Sequence, residues 1–310
     1  MIKKAVITAA GKGTRQYPAT NSVQKELFPL VDRDGISKPT IQIIIEEAMR
    51  AGVEQIAIVV QPDEATLFQA HFCGLSADEK LAFANKPWGL SQSDLLERMR
   101  HCITYIPQYT QEGYGHAVHC AGEWVGNEPF LLLLGDHVFL SNTSTSCLQQ
   151  ILNGFEKYRQ SIFGVQPTPA NDISRFGTVA GEKLSDSPPA FRVTRVAEKP
   201  TVSFARQHLT IPGLTPDHFL AFFGSYVFSP TIFTILQEHI RDNVRENGEI
   251  QLATAQAELI RREGAIALEI SGQRLDMGTP LGYLETQLAL ARGGVFSREI
   301  EQIWQRLHEC

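Results

Sequence analysis

The first residues that could do chemistry surround a glycine-rich turn near the N-terminus. The segment Ala9-Ala10-Gly11-Lys12-Gly13-Thr14-Arg15 follows a short apolar run. Residues 1–25 contain no Asp or Glu, and they carry the cations Lys3, Lys4, Lys12, Arg15 and Lys25. The chain as a whole has a net charge of -6, so this positive charge is local. Glycines let the backbone approach a phosphate, and exposed N–H groups can point at it. The segment therefore predicts a site for a phosphorylated ligand.

Two common phosphate-binding motifs do not fit this turn. A Walker A loop requires Ser or Thr after its lysine, but Gly13 follows Lys12. The dinucleotide-binding fingerprint requires Gly or Ala where Gln16 stands, which argues against a Rossmann-type oxidoreductase. The alternative without function is a tight strand-to-loop turn with solvated lysines.

Two aspartates stand where a metal ion could bind. Asp136 comes directly after the apolar run 130–134 and Gly135, and ligands bind beyond the carboxyl ends of strands in open α/β sheets. Asp276 opens a loop just before a predicted helix. Mg²⁺ prefers hard oxygen ligands and is held by one or two carboxylates together with substrate phosphates. The pair predicts a magnesium site, and the alternatives are a turn residue for Asp136 and a helix cap for Asp276.

The tripeptide Glu198-Lys199-Pro200 follows another predicted strand. Pro200 predicts an extended backbone at Lys199. A lysine can act as a point charge on phosphate, and a carboxylate such as Glu198 can accept hydrogen bonds from sugar hydroxyls.

The elements that must position these groups follow from alternating short apolar runs and helical patterns. We predict strands over residues 5–9, 55–60, 130–134, 162–166, 177–180, 191–196 and 220–228. We predict helices over residues 40–51, 64–72, 115–125, 250–262, 280–292 and 297–308. This alternation predicts an α/β fold with a Rossmann-like mixed, mostly parallel sheet flanked by helices. The run 130–134 is apolar at every position, which predicts a central strand covered on both faces.

The bulk composition restricts the class of protein. The 310 residues are 43% hydrophobic and 20% charged, enough for one large α/β domain or two modest ones. The negative net charge argues against nucleic-acid binding, and no apolar run approaches the roughly 18 residues that cross a bilayer. Cysteines are few and scattered without zinc-binding spacing, which predicts reduced thiols in a cytoplasmic protein: Cys73, Cys102, Cys120, Cys147 and Cys310.

Taken together, the motifs resemble the bacterial UTP–glucose-1-phosphate uridylyltransferases, within the wider sugar-phosphate nucleotidyltransferases. The resemblance runs from about residue 3 to about residue 292. It is carried by residues 9–15, by Gln24-Lys25-Glu26-Leu27-Phe28-Pro29, by Gln108 followed by 113–118, and by Leu275-Asp276-Met277-Gly278-Thr279.

The resemblance implies an enzyme that transfers a nucleotidyl group from UTP to a hexose 1-phosphate, above all glucose 1-phosphate, with Mg²⁺ and with release of pyrophosphate. The implied catalytic cations are Arg15 on the triphosphate, Lys25 on the α-phosphate and Lys199 on the sugar phosphate. The implied nucleotide contacts are Ala9, Ala10, Gly11, Gly13, Thr14, Glu26, Gln108 and Gly113. The implied sugar contacts are His137, Gly177 and Glu198, and the implied magnesium ligands are Asp136 and Asp276.

Several positions depart from the family pattern and leave the sugar open. His137 stands where these enzymes commonly carry a second aspartate, Ser225 stands where an arginine is usual, and Ala253 replaces a threonine. We expect these changes near the sugar, and an insertion at residues 32–37 lengthens a loop. The same reaction with dTTP, CTP or GTP, or with another sugar 1-phosphate, remains an alternative. So does a non-catalytic regulator that binds a nucleotide-sugar.

The predicted organisation is a catalytic domain over residues 1–292, with a nucleotide half of about 1–135 and a sugar half of about 136–292. Residues 293–310 are predicted as a C-terminal helix after Gly293-Gly294, either an oligomer contact or a simply packed helix. We expect a homo-oligomer, a dimer or a tetramer.

Overall fold

A computed structural model describes residues 2–308, and helices and strands alternate along most of this range. The strands are β1 (Lys4–Thr8), β2 (Pro29–Val31), β3 (Ser37–Pro39), β4 (Gln55–Val60), β5 (Ile103–Pro107), β6 (Phe130–Leu134), β7 (His137–Ser141), β8 (Ile162–Pro169), β9 (Thr178–Asp186), β10 (Pro189–Ala197), β11 (His218–Phe228), β12 (Ile266–Glu269) and β13 (Gly272–Asp276). The helices are α1 (Thr40–Arg50), α2 (Ala65–His71), α3 (Ala77–Ala82), α4 (Pro87–Cys102), α5 (Tyr114–Cys120), α6 (Gly122–Val125), α7 (Cys147–Tyr158), α8 (Val202–His208), α9 (Thr231–Arg241), α10 (Leu252–Glu263), α11 (Pro280–Arg292) and α12 (Ser297–His308).

Nine of these strands form one mixed sheet in the order β5-β4-β1-β6-β11-β8-β12-β10-β9. Strands β5, β4, β1 and β6 are parallel, whereas β11 is antiparallel to β6. In this register Thr8 lies beside Leu134, so the glycine turn and Asp136 leave adjacent strands at the same edge. The expected α/β fold with a Rossmann-like sheet is confirmed.

The apolar strand β6 explains how the sheet is held between two helical layers. Leu131 and Leu133 pack into a core with residues of α1 and α7. Phe130 and Leu132 pack on the other side, with residues of α5, α9 and α10. Because successive side chains of a strand point to opposite faces, a strand that is apolar throughout contributes to both cores. The prediction of a strand covered on both faces is confirmed.

Two local predictions differ from the structure. The helix expected over residues 115–125 is divided at Ala121 into α5 and α6. The ψ angle of Ala121 is -3°, which interrupts the regular helix. Strands β7 and β13 pair antiparallel in a separate two-stranded ribbon that local patterns did not predict. Each has five residues and is ordered by its partner from a distant part of the chain, so neither carries a strong signal alone.

The insertion at residues 32–37 is tied down by a buried lysine. Lys38 is only 2% exposed, and its Nζ contacts Asp32 at 2.8 Å, Asp34 at 2.7 Å and Glu46 at 3.0 Å. A buried charge is stable only when it is paired, so these carboxylates hold the loop on α1. The loop in turn accepts a hydrogen bond from the N–H of Val295 on the carbonyl of Arg33 at 2.9 Å. The insertion thus anchors the segment that leads into α12.

Within residues 2–308, no helix combines the length and apolarity that crossing a membrane requires. Cys73, Cys102, Cys120 and Cys147 are free thiols. Cys310 lies outside the described residues.

The buried carboxyl of Glu47 predicts an unusual dependence of stability on pH. Burial raises the pKa of Glu47 from the ordinary 4.5 to about 7, although its Oε1 accepts a hydrogen bond from the N–H of Leu148 at 3.2 Å. Between these two values the native state binds the proton more tightly than the unfolded chain, so stability falls as pH rises. We expect Glu47→Gln to be more stable than the unchanged protein by about 1–3 kcal/mol at pH 8, and by much less at pH 5.

Urea unfolding at several pH values measures this difference. Glu54→Gln is the matched control, because Glu54 lies on the surface beside Lys3 and should change little. A difference between Glu47→Gln and the unchanged protein that does not vary with pH would contradict the assignment.

Candidate active site

The glycine turn presents free backbone N–H groups at the edge of the sheet. The side-chain amide of Gln24 donates to the carbonyls of Ala9 at 3.1 Å and Gly11 at 3.3 Å, which holds the turn from behind. Gly13 has a left-handed backbone with φ 59°, and a short 3-10 helix follows it. Among the described residues, nothing accepts a hydrogen bond from the N–H groups of residues 10–13. This turn can therefore bind an anion through its backbone.

A buried charge cluster lies beside the turn. The Nζ of Lys25 is 2.5 Å from Oδ2 of Asp136 and 3.0 Å from Oε1 of Glu26. Burial alone would lower the pKa of Lys25, but the two carboxylates outweigh it and hold that pKa above its usual range. Burial alone would raise the pKa of Asp136, but Lys25 and His137 outweigh it and hold that pKa well below its usual range. Lys25 is therefore cationic and Asp136 anionic at neutral pH.

Glu26 completes this cluster from the inside. It is fully buried, and burial raises its pKa to about 7 even beside Lys25. It lies on the wall of the cavity that begins at the glycine turn, but its carboxylate faces Lys25. Its observed contact is thus with the lysine.

The ribbon of β7 and β13 brings the second aspartate to the first. Its register pairs His137 with Asp276, and the N–H of Met277 donates to the carbonyl of Asp136 at 3.0 Å. One ligand atom from each of Asp136, His137 and Asp276 lies within 4.8 Å of the others. Two carboxylates and an imidazole are a donor set that suits a divalent cation. The predicted pair of aspartates is thus brought together on one ribbon.

Arg15 lies against the same loop. The guanidinium of Arg15 packs directly against Gly278 and would have to shift for a side chain there. The N–H of Gly278 also donates to Oδ1 of Asp276 at 2.8 Å, which orients that carboxylate. Arg15 and Asp276 therefore both contact the short loop at Gly278.

A cavity of about 380 Å³ extends from the glycine turn. Its lining includes the predicted residues Ala10, Gly11, Lys25, Glu26, Gln108, Gly113 and Asp136. Gln108 is buried, and its Nε2 lies 3.0 Å from Nδ1 of His116. Gly113 has φ 116°, and a Cβ there would be 2.8 Å from the carbonyl of Ile250. Gly113 is therefore required by a close backbone approach.

A second cavity of about 450 Å³ lies on the other side of Asp136. Its lining includes the predicted residues Arg15, Asp136, His137, Gly177, Glu198, Lys199 and Asp276. Burial raises the pKa of Glu198, and the Nζ of Lys199 lies 3.7 Å from its Oε1. A Cβ at Gly177 would be 3.0 Å from Oε2 of Glu198. The two cavities share part of their walls, which includes Asp136, so this carboxylate lies between ligands bound in both.

Other predicted positions lie away from these walls. Ala9 is buried behind the glycine turn, and Gly13 and Thr14 border neither cavity. The extended backbone expected for Lys199 is wrong, because its φ is 41°, in the left-handed region. The clash with Pro200 disfavours the right-handed helical region, and the turn after β10 selects a left-handed conformation instead.

Ser225, which we expected near the sugar, lines neither cavity. Ser225 is opposite Leu133 in the ladder, and its Oγ lies beside Gly164 in the layer under α7. Its neighbours Gly224 and Tyr226 face the second cavity. Since side chains alternate along a strand, Ser225 must point to the opposite face.

Sequence reasoning missed several polar residues that shape the site. Gln16 donates to the carbonyl of Met277 at 2.7 Å and so joins the glycine turn to the Asp276 loop. Gln24 supports the turn, Tyr114 lines both cavities, and Gln256 lines the second. Gln24 is part of the segment 24–29 that carries the family resemblance, so the sequence could have identified it. Gln16 gives no local signal, because its partner Met277 is distant in sequence. Gln256 gives none, because only the tertiary fold brings it to this cavity.

This chain is similar to known proteins over nearly its whole length. A family model described as nucleotidyl transferase matches residues 4–293. A UTP–glucose-1-phosphate uridylyltransferase of Bacillus subtilis (strain 168) is 37% identical over 295 residues, 94% of this chain and 91% of that protein. One from Staphylococcus epidermidis is 35% identical over 94% of this chain and 92% of that protein.

Solved structures agree with these relatives. A crystal structure of a UDP-glucose pyrophosphorylase complexed with UDP-glucose has a TM-score of 0.76 and 31% identity, over 93% of this chain and 98% of that one. A UTP-bound enzyme of the same kind from Acinetobacter baumannii has a TM-score of 0.80 and 26% identity, over 99% of this chain and 100% of that one. With its family match, its relatives and its site in agreement, this chain belongs to the nucleotidyl transferase family.

Proposed function

We propose that this protein transfers the uridylyl group of UTP to glucose 1-phosphate and forms UDP-glucose and pyrophosphate. The observation that carries the proposal is the position of Asp136 between two cavities. One cavity begins at free backbone N–H groups and Lys25, and the other contains Glu198 and Lys199. The names of the relatives from Bacillus subtilis and Staphylococcus epidermidis support the choice of UTP and glucose 1-phosphate.

The charges of the site match the problem that the reaction poses. A triphosphate and a sugar phosphate repel each other, and low-dielectric surroundings strengthen this repulsion. Phosphoryl chemistry needs mainly positioning and fixed positive charge. We assign Lys25 to the α-phosphate, Arg15 with the glycine turn to the departing pyrophosphate, and Lys199 to the sugar phosphate.

Asp136 and Asp276 would hold a magnesium ion. Their carboxylates are hard oxygen donors, and the β7–β13 ribbon keeps them close. When bound, the ion neutralises phosphate charge as a Lewis acid. The chain's own contribution is to orient the two carboxylates, through Lys25 and His137 at Asp136 and through the N–H of Gly278 at Asp276.

The reaction needs no general base. A phosphate oxygen of glucose 1-phosphate attacks the α-phosphorus of UTP in line and forms a new P–O bond. The bond from the α-phosphorus to the bridging oxygen breaks, and pyrophosphate leaves with that electron pair. The attacking oxygen is already deprotonated near neutral pH, which is consistent with a site built from cations and carboxylates.

Different residues in the two cavities would select the base and the sugar. The amide of Gln108 can pair with the donor–acceptor edge of uracil. In the sugar cavity we assign His137, Gly177 and Glu198 to the hexose. Thymine differs from uracil by a methyl group, which a pocket distinguishes by only about 1–3 kcal/mol, so dTTP is the nearest competitor.

A grid of substrates tests this function. UTP, dTTP, CTP and GTP are each combined with several sugar 1-phosphates, with and without Mg²⁺, and pyrophosphate is measured. The pair of UTP and glucose 1-phosphate with Mg²⁺ is expected to give the highest kcat/KM. A higher value for another pair would replace the substrate assignment, and absence of turnover with every pair would favour a regulator that only binds nucleotide-sugars.

We extend the proposal to a cytoplasmic homo-oligomer, a dimer or a tetramer. The free thiols of the described cysteines support a reducing compartment. We propose that the nucleotide binds mainly to residues 1–135 and the sugar mainly to residues 136–292. We propose that residues 293–310 form the oligomer contact. The helix α12 has no buried residue, which supports an oligomer contact over the simply packed helix that we also considered.

An apolar surface supports this oligomer contact. Exposed side chains on one face of α11 are Leu281, Leu284 and Leu288, and those on one face of α12 are Ile303, Trp304 and Leu307. Contiguous apolar surface of this kind marks interaction sites. We expect Trp304→Glu to shift the protein towards monomer in light scattering after gel filtration. Arg298→Glu, on the opposite face of α12, is the matched control, and an unchanged mass for Trp304→Glu would remove the contact from the proposal.

A further inference from the structure

A buried glutamine without a hydrogen-bond partner lines the second cavity, to which we assigned the sugar. Gln256 lies on α10, is 1% exposed, and borders the cavity that contains Gly177, Glu198 and Lys199. Its Nε2 is shielded from solvent and makes no hydrogen bond. No residue within 2–308 pairs with its Oε1 either. Buried polar groups are normally hydrogen-bonded, so an unpaired amide at the wall of a cavity indicates a group that a ligand satisfies.

The surroundings of Gln256 define the chemistry of that ligand group. Leu252 and Ala253, one turn earlier on α10, line the same cavity, because residues three and four apart share a helix face. The cations that suit a phosphate, Arg15 and Lys199, belong to the same cavity. Gln256 is neutral, and its amide can both donate and accept a hydrogen bond. A sugar hydroxyl, which also donates and accepts, complements it better than a phosphate oxygen does.

We infer that Gln256 hydrogen-bonds a ring hydroxyl of the hexose and determines which sugar 1-phosphate is used. This inference rests on the proposed function, since it concerns the sugar of the same reaction. A site built to hydrogen-bond a hydroxyl discriminates against analogues that lack it, because its buried polar group is then left unpaired. Gln256 therefore recognises the hydroxyl at one position of the sugar ring, and the cations Arg15 and Lys199 bind phosphate groups.

The test uses Gln256→Leu, which keeps the volume of the side chain and removes its polar end. We expect the KM for glucose 1-phosphate to rise about tenfold or more, with kcat and the KM for UTP changed less than about twofold. The thermal midpoint should not fall, since an unpaired buried amide is replaced by an apolar group. Arg261→Ala, on the exposed side of α10, is the matched control and should leave all of these values unchanged.

A panel of 2-, 3-, 4- and 6-deoxyglucose 1-phosphates identifies the hydroxyl. In the unchanged protein one analogue should lose about tenfold or more in kcat/KM relative to glucose 1-phosphate, and Gln256→Leu should treat the two almost equally. The inference would be overturned if Gln256→Leu changed neither the KM for glucose 1-phosphate nor the kcat/KM of each analogue relative to glucose 1-phosphate.

Failure of the proposed function shows separately, in the unchanged protein. If that protein uses another sugar 1-phosphate instead of glucose 1-phosphate, the substrate assignment fails, and Gln256→Leu is measured on the sugar actually used. If it uses none, both the function and the inference are overturned.

Discussion

Replacing Asp136 with Asn is expected to lower kcat/KM by about 10²–10³-fold or more. Removing one preorganised charged group from such a site typically has an effect of this size. The loss has two physical sources here. The amide no longer supplies an anionic oxygen beside Asp276, and the Nζ of Lys25, 2.5 Å from Oδ2, loses the partner that positions it. The shape of the side chain is kept, so the fold should remain.

Two measurements make this expectation specific. Pyrophosphate release gives kcat/KM, and electron paramagnetic resonance of added Mn²⁺ reports the metal site without turnover. We expect Mn²⁺ affinity to fall together with activity. Asp186→Asn is the matched control, because Asp186 is an exposed carboxylate paired with Lys183. If Asp136→Asn retained both Mn²⁺ affinity and turnover, the assignment of the metal site would be wrong.

Replacing Lys25 with Ala is expected to lower kcat/KM by a similar factor, about 10²–10³-fold. It should also destabilise the protein by about 3–5 kcal/mol, because two buried carboxylates, Glu26 and Asp136, then lack a cation. Protonation of Glu26, whose pKa is about 7 even beside Lys25, relieves part of this cost at low pH. The stability deficit of Lys25→Ala should therefore be smaller at pH 5 than at pH 8.

A second variant separates stability from catalysis. Lys25→Met combined with Glu26→Gln replaces the buried pair by neutral groups of similar size, which is often tolerated. We expect this double variant to regain part of the lost stability, because Glu26 no longer needs a cation while Asp136 still lacks Lys25, and to remain inactive in pyrophosphate release. Lys3→Ala removes a surface lysine paired with Glu54 and is the control for loss of positive charge. Activity restored by the double variant would show that Lys25 acts only as a structural cation.

Much of the fold could be predicted from local patterns. The continuous apolarity of Phe130–Leu134 identified β6 with its bounds, and α11 and α12 were likewise found over Pro280–Arg292 and Ser297–His308. Elements of this kind carry their signal in consecutive residues, through periodicity and helix-start residues. The ribbon of β7 and β13 could not be predicted in the same way, because each strand is defined by the other.

Residues of the candidate site could be predicted where a short segment contains both the reactive group and a recognisable local pattern. Lys25, Asp136 and Glu198 were found from glycines, charges and strand ends, and all of them line the two cavities. Their roles remain predictions. The face of Ser225, the left-handed backbone of Lys199 and the position of Gln256 were not predictable. The first and the third depend on neighbours that are far away in sequence, and the backbone of Lys199 depends on the turn in which β10 ends.

The amino-acid order determined which chemical groups are present and the strands and helices that carry them, since these depend on interactions between nearby residues. The tertiary structure decided how those groups meet. Only long-range pairing sets Asp276 beside Asp136 and brings Asp136 to Lys25, which Glu26 already adjoins in the sequence. The same packing leaves the amide of Gln256 without a partner. The physical reason is that contact, burial and electrostatic coupling depend on distance in space, which separation along the chain does not specify.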